Sequence, residues 1–158
     1  MKRYNKFQFA WVIVIVLLII VACITLAYID KWGNNPIDMV GYIILMVLLG
    51  GCLLGFYGMT IIVSDKQIQI KFGIGFYTKR IDLSAIDSIT VTKYPLYFGY
   101  GIRMIPKGIL YNVSGRHAVE IKIKGKKSVL YIGTNDWDNL KLILEESIKM
   151  DKNFNSKL

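Results

Sequence analysis

The sequence predicts a membrane α-helical hairpin followed by a seven-stranded antiparallel β-barrel capped by a C-terminal helix. Three observations predict it. Two long runs without a charged side chain, residues 7–29 and 39–63, dominate the first part of the chain. Beyond them, apolar and polar residues alternate, which is the period of strands buried on one face only. The chain then ends on an apolar stripe at helical spacing, Trp137, Leu140, Leu144 and Ile148.

Of the 158 residues, 54% are hydrophobic, and these concentrate in residues 1–63. That region is read as membrane-embedded, residues 59–150 as a soluble domain and residues 151–158 as a polar tail. A domain of this size buries a core without disulfides or metal. Cys23 and Cys52 both lie inside the apolar runs, at different depths, so no disulfide is expected between them. The net charge of +9 comes mostly from residues 1–6 and 64–158. A basic domain beside a membrane points to anionic lipid before nucleic acid.

The first span is placed at about 9–28, with Trp11 and with Tyr28 and Trp32 at interfacial depth. It lacks the short core and small-residue cleavage site of a signal peptide. Residues 30–38 hold Gly33, Asn34, Asn35 and Pro36, which are turn residues, and lead to the second span at about 38–58. Lys2, Arg3 and Lys6 precede the first span, Lys66, Lys71, Lys79 and Arg80 follow the second, and Lys31 alone lies between. The bacterial cell membrane would then be crossed twice, with both termini cytoplasmic. Gly51 and Gly55 stand four apart and are expected to let the second span pack closely on the first.

Strands follow. Residues 59–63 are β-branched and open the domain, and Ile68, Ile70 and Phe72 alternate with Gln67, Gln69 and Lys71. Further strands are expected at 76–83, 88–93, 108–113, 118–124 and 129–132. Gly73-Ile74-Gly75, Ser114-Gly115-Arg116-His117 and Gly125-Lys126-Lys127 supply turns between them. Asn135 is placed to cap the final helix, with Asp136 and Asp138 at its positive end. Seven strands and one amphipathic helix is the order of a pleckstrin-homology-like barrel, whose helix plugs one open end.

Gly101-Ile102-Arg103, Pro106-Lys107-Gly108, Tyr111-Asn112-Val113-Ser114-Gly115, Ala118-Val119-Glu120-Ile121 and Ile132-Gly133-Thr134 carry a likeness over about residues 59–150. With them the chain resembles small bacterial membrane-anchored pleckstrin-homology-like (bPH) domain proteins. Its layout is similar to bacteriocin immunity proteins of the sublancin type. The resemblance implies protection of a producer cell by binding rather than catalysis, without a cofactor. Its partners would be membrane lipids and a bacteriocin or its membrane target. No ligand-binding residue carries across, because the shared residues are structural. The alternative is a membrane-tethered adaptor for lipid headgroups or an envelope protein.

No catalytic or metal-binding constellation emerges from the residues themselves. His117 is the only histidine and is expected in a solvated turn. Asn112-Val113-Ser114 fits a glycosylation pattern but falls in a strand on the cytoplasmic side. Two features point to contacts instead. Tyr94, Tyr97, Phe98 and Tyr100, interleaved with Pro95, Gly99 and Gly101, form an aromatic loop suited to docking on a partner or covering the barrel mouth. Lys122, Lys124, Lys126 and Lys127 form a basic hairpin, read as a candidate anionic-lipid contact or as a solvated edge that discourages aggregation.

Overall fold

The structure, a computed structural model, describes residues 2–155. In chain order the elements are β1 (Lys2–Phe9), α1 (Trp11–Ile29), α2 (Met39–Phe56), β2 (Gly58–Ser64), β3 (Gln67–Phe72) and β4 (Tyr77–Asp82). A 3-10 turn, Leu83–Ala85, leads to β5 (Ile86–Lys93), and a second, Leu96–Phe98, to β6 (Gly101–Ile105). β7 (Gly108–Asn112), β8 (His117–Ile123), β9 (Val129–Gly133) and α3 (Trp137–Asn155) complete the chain.

Two of the helices, α1 with 19 residues and α2 with 18, are long and apolar enough to cross a membrane. At 1.5 Å per residue each spans roughly 27–28 Å, close to the thickness of a hydrocarbon core. α2 starts where Asp38 accepts a hydrogen bond from the Gly41 N–H at 2.9 Å, so a cap residue sets the boundary. The two helices form a hairpin whose outer end is held by the Tyr28 and Tyr42 rings, stacked 4.4 Å apart. Gly51 is not the point of close approach expected for it. A side chain there would meet nothing within 4 Å, and Gly55 faces the Phe76 ring instead of α1.

The hairpin of helices continues as a hairpin of strands. β1 and β2 pair antiparallel from Phe9 opposite Gly58 outward, and the Ala10 N–H donates to the Tyr57 carbonyl at 2.8 Å. The N-terminal residues therefore belong to the sheet, although their lysines and arginine read as a charged flank of the first span. α1 begins at Trp11 because Phe9 is taken up by the strand.

The strands make a four-stranded sheet ordered β1-β2-β3-β4 and a five-stranded sheet ordered β5-β8-β9-β7-β6. No strand pairing joins the two among the described residues, so the expected closed barrel is replaced by two sheets packed over one core. The nine strands exceed the seven expected by β1 and β6. The sheets are not wholly antiparallel either, because β7 runs parallel to β9. Their backbones are close at Gly108, where a side chain would run into the Val129 carbonyl.

Between the sheets, Ile68, Ile70 and Phe72 meet Tyr111, Val119, Ile121 and Ile132, all fully or almost fully buried. α3 lies over β5, β8, β1 and the first 3-10 turn. It buries Leu140 and Leu144 completely, with Trp137 and Ile148 at the margin. It starts one residue later than a cap at Asn135 would place it, since the Leu140 N–H bonds to the Asp136 carbonyl. It also runs on to Asn155, into the stretch expected to be a polar tail.

Removing the Leu144 side chain leaves a cavity under α3, so Leu144→Ala in the detergent-solubilised chain should cost about 2–5 kcal/mol. Chemical denaturation measures it. A loss below about 0.5 kcal/mol would show that α3 does not close the core.

Candidate functional site

Strand directions decide what gathers at the helix-bearing end of the domain. β5, β7 and β9 all finish there, which brings together the loops at 94–100 and 112–117 and the link at 134–136. The buried Gln8, next to the last residue of β1, ties them to that strand. Its amide reaches the Gly133 carbonyl at 3.5 Å, and its side-chain oxygen accepts from the Ser114 hydroxyl at 2.9 Å.

The aromatic loop is pinned at both ends. The Tyr94 N–H donates to the Arg116 carbonyl, and the Tyr94 hydroxyl donates to the Gly115 carbonyl, both at 3.1 Å. Further on, the Asn112 side-chain amide donates to the Gly99 carbonyl at 3.2 Å, and Arg103 Nε to the Tyr100 carbonyl at 3.1 Å. Gly99 and Gly101 take positive φ, of 72° and 95°, which lets the chain reverse into β6 without strain.

The four aromatic residues divide their work. Tyr94 is buried with Leu110, Ala118 and Tyr131 in a second apolar cluster on the outer face of the five-stranded sheet, and Phe98 packs against it. Tyr97 is 81% exposed, with its ring edge-on to Phe98 at a centroid distance of 4.9 Å. Tyr100 is half-buried. Burial pushes the Tyr94 hydroxyl above its ordinary pKa, with Tyr100 adding to the shift, so Tyr94 stays a neutral donor.

Beneath this loop lies an open cleft of about 240 Å³. Tyr94, Pro95 and Phe98 form one wall and Ile105, Pro106 and Lys107 the other, over a floor of Leu110 and Tyr131. Glu120 is the one acid in the lining, and burial together with Glu120 raises the Tyr131 hydroxyl above its ordinary value. Lys93 and Lys107 belong to the same lining. Apolar walls with a few placed polar groups suit an amphipathic ligand or an inserted side chain.

The lysine hairpin is elsewhere. Lys124, Lys126 and Lys127 lie at the turn between β8 and β9, at the opposite end of those strands from the helices. Lys124 Nζ donates to the Ser84 carbonyl at 2.8 Å, and Lys122 is exposed on β8. His117 is not in a turn. It opens β8 opposite Lys93, and its ring lies 5.4 Å from Trp137. Asn112 is buried, and its side-chain oxygen accepts from the Ser114 N–H. Cys23 and Cys52 are both free thiols. Among the described residues, no group of three or more His, Cys, Asp and Glu side chains is placed to hold a metal ion.

Sequence reasoning missed the brace from β1 to α3. The Tyr4 hydroxyl donates to Asp136 at 3.0 Å, Lys6 Nζ lies 3.6 Å from the same carboxylate, and Asn139 donates to it at 2.7 Å. The signal was the alternation of Asn5-Lys6-Phe7-Gln8-Phe9, which has strand period but abuts a longer apolar run. Comparisons with protein-family models, characterised proteins and solved structures find no match for this chain.

Partial burial raises the Asp136 pKa, but donors Asn139, Tyr4 and Lys6 outweigh it and hold the carboxyl below the usual range. A depressed folded pKa gives stability that is fully present above the unfolded value, about 3.9, and lost as pH falls through the folded one. Asp136→Asn should therefore lower Tm at pH 6, with the gap to the parent closing near pH 3. An equal gap at both pH values would contradict the charged brace.

Proposed function

We propose that this chain is a membrane-anchored binding protein of the bacteriocin-immunity type, with sublancin-type immunity as the specific reading. A pleckstrin-homology-like domain would sit on the cytoplasmic side of a two-pass hairpin and act by engagement rather than catalysis. One observation carries the reading: an apolar cleft, rimmed at the helix-bearing end by the aromatic loop, lies on a domain joined to both helices without a linker. A ligand of that cleft would be met beside the bilayer, where a bacteriocin or its membrane target is found. The exposed Tyr97 against Phe98 is the type of rigid aromatic anchor that dominates many contacts.

Two sheets sharing a core under a C-terminal helix fit a pleckstrin-homology-like domain in an unclosed form. Because β1 and β2 pair, residues 2–9 and the domain leave the helix hairpin at one end. The basic residues around that end, with Lys31 alone in the connecting loop, favour the cytoplasm for it.

Expression of the chain alone in a sensitive bacterium should confer resistance to a sublancin-type bacteriocin. Tyr97→Ala combined with Phe98→Ala should abolish most of the protection, while Glu146→Ala, on the exposed side of α3, should leave it intact. Leu48→Arg, costing about 3 kcal/mol near the centre of α2, marks the outcome of failed insertion. No protection by well-inserted parent protein would overturn the immunity reading, and protection indifferent to the aromatic pair would overturn the cleft as its site.

A further inference from the structure

The turn between β3 and β4 is apolar where a turn is ordinarily polar. Ile74 and Phe76 are 74% and 78% exposed, and the turn has the sequence Gly73-Ile74-Gly75-Phe76. Two adjacent large apolar side chains held out from a domain call for a partner surface.

The position of the turn identifies that surface. The Gly73 N–H donates to the Gly58 carbonyl at 2.8 Å, and the Ile74 N–H to the Leu54 carbonyl at 3.3 Å. The turn is thus bonded to the last turn of α2 and lies level with it, beside the exposed Leu54. Gly73 has φ of 55°, and a side chain there would collide with the Leu54 and Gly55 carbonyls, so only glycine lets the two backbones come this close. Phe76 lies over Gly55, its ring carbons 3.7 Å from where a Gly55 Cβ would stand, and its centroid is 6.4 Å from Phe56. The apolar surface of the turn is continuous with the outward surface of α2.

We propose that Ile74 and Phe76 are a lipid foot, inserted at the headgroup–acyl boundary of the same bilayer that holds α1 and α2. The proposal rests on reading those helices as membrane-spanning. Its occupant follows from continuity: whatever solvates Leu54 on α2 also meets Ile74 and Phe76. Lys71 and Lys79 flank the turn on β3 and β4, within reach of lipid phosphates. On β1 and α1, the exposed Phe7 and Trp11 supply aromatic groups at the corresponding depth. The foot adds a third point of attachment to the two helices and fixes the tilt of the domain.

Site-directed spin labelling of the full chain tests this. With Cys23→Ser and Cys52→Ser as background, single cysteines at Ile74, Leu48 and Lys126 would each carry a nitroxide. The protein would be reconstituted in vesicles of phosphatidylcholine and phosphatidylglycerol. Power saturation with oxygen and with a water-soluble nickel chelate then reports depth. The expected result is a label at Ile74 that favours oxygen over nickel by several-fold, on the side of the Leu48 label, with the Lys126 label favouring nickel. A label at Ile74 that behaves like Lys126 while Leu48 stays in lipid would overturn the foot and leave the spans standing. A nickel-accessible Leu48 label would overturn both.

Discussion

The structure depends on one backbone constraint, the direct continuation of two antiparallel helices into two antiparallel strands. A single residue, Ala10 or Tyr57, separates helix from strand on each side, and these two residues are hydrogen-bonded to each other. The register of β1 on β2 follows from that junction, because strands that leave paired helix ends side by side have no slack in which to slip. With β2 placed, β3 and β4 add as successive hairpins. The helix ends template the first sheet.

Packing carries the constraint further inward. Phe56, the last residue of α2, packs on Phe72 with ring centroids 6.1 Å apart, Phe72 lies 6.2 Å from Tyr111 of the second sheet, and the Tyr77 and Tyr111 hydroxyls are hydrogen-bonded at 3.0 Å. A continuous aromatic path thus links the helix end to both sheets. Burial raises the Tyr111 hydroxyl above its ordinary pKa, with Tyr77 contributing, so Tyr111 stays neutral. β1 braces the other side through Tyr4 and Gln8, which hold the start of α3 and the loop at Ser114. The aromatic loop is bonded to that same Ser114-Gly115-Arg116 segment, so the cleft inherits its position from β1.

Much of this was legible in local pattern. The two helices fall within a few residues of the runs at 9–28 and 38–58, and the alternation of Ile68, Ile70 and Phe72 and the stripe of Leu140 and Leu144 mark residues that are fully buried. β1 was not legible because Phe7 and Phe9 merge with the apolar run that follows, while Lys2, Arg3 and Lys6 mimic a membrane flank. β6 was hidden by the glycines before it and the proline after it. Strand order, the parallel pair of β7 and β9 and the unclosed sheets are products of long-range pairing, to which a period-two pattern is blind. The same limit applies to the sites. The aromatic loop stands out in the sequence as a candidate contact loop, but the burial of Tyr94 and the exposure of Tyr97 depend on the sheet beneath them. The lysine turn is equally visible, yet its distance from the helices follows only from the direction of β8.

The most direct test of the helix-to-strand junction is amide hydrogen exchange on the full chain in lipid nanodiscs. The account predicts that the Ala10 amide and those amides of β1 that face β2 exchange as slowly as the amides of β3, since all would open only with the domain as a whole. Rapid exchange throughout residues 2–10, with β2 and β3 still protected, would contradict it, because the sheet would then fold without the strand on which the account depends.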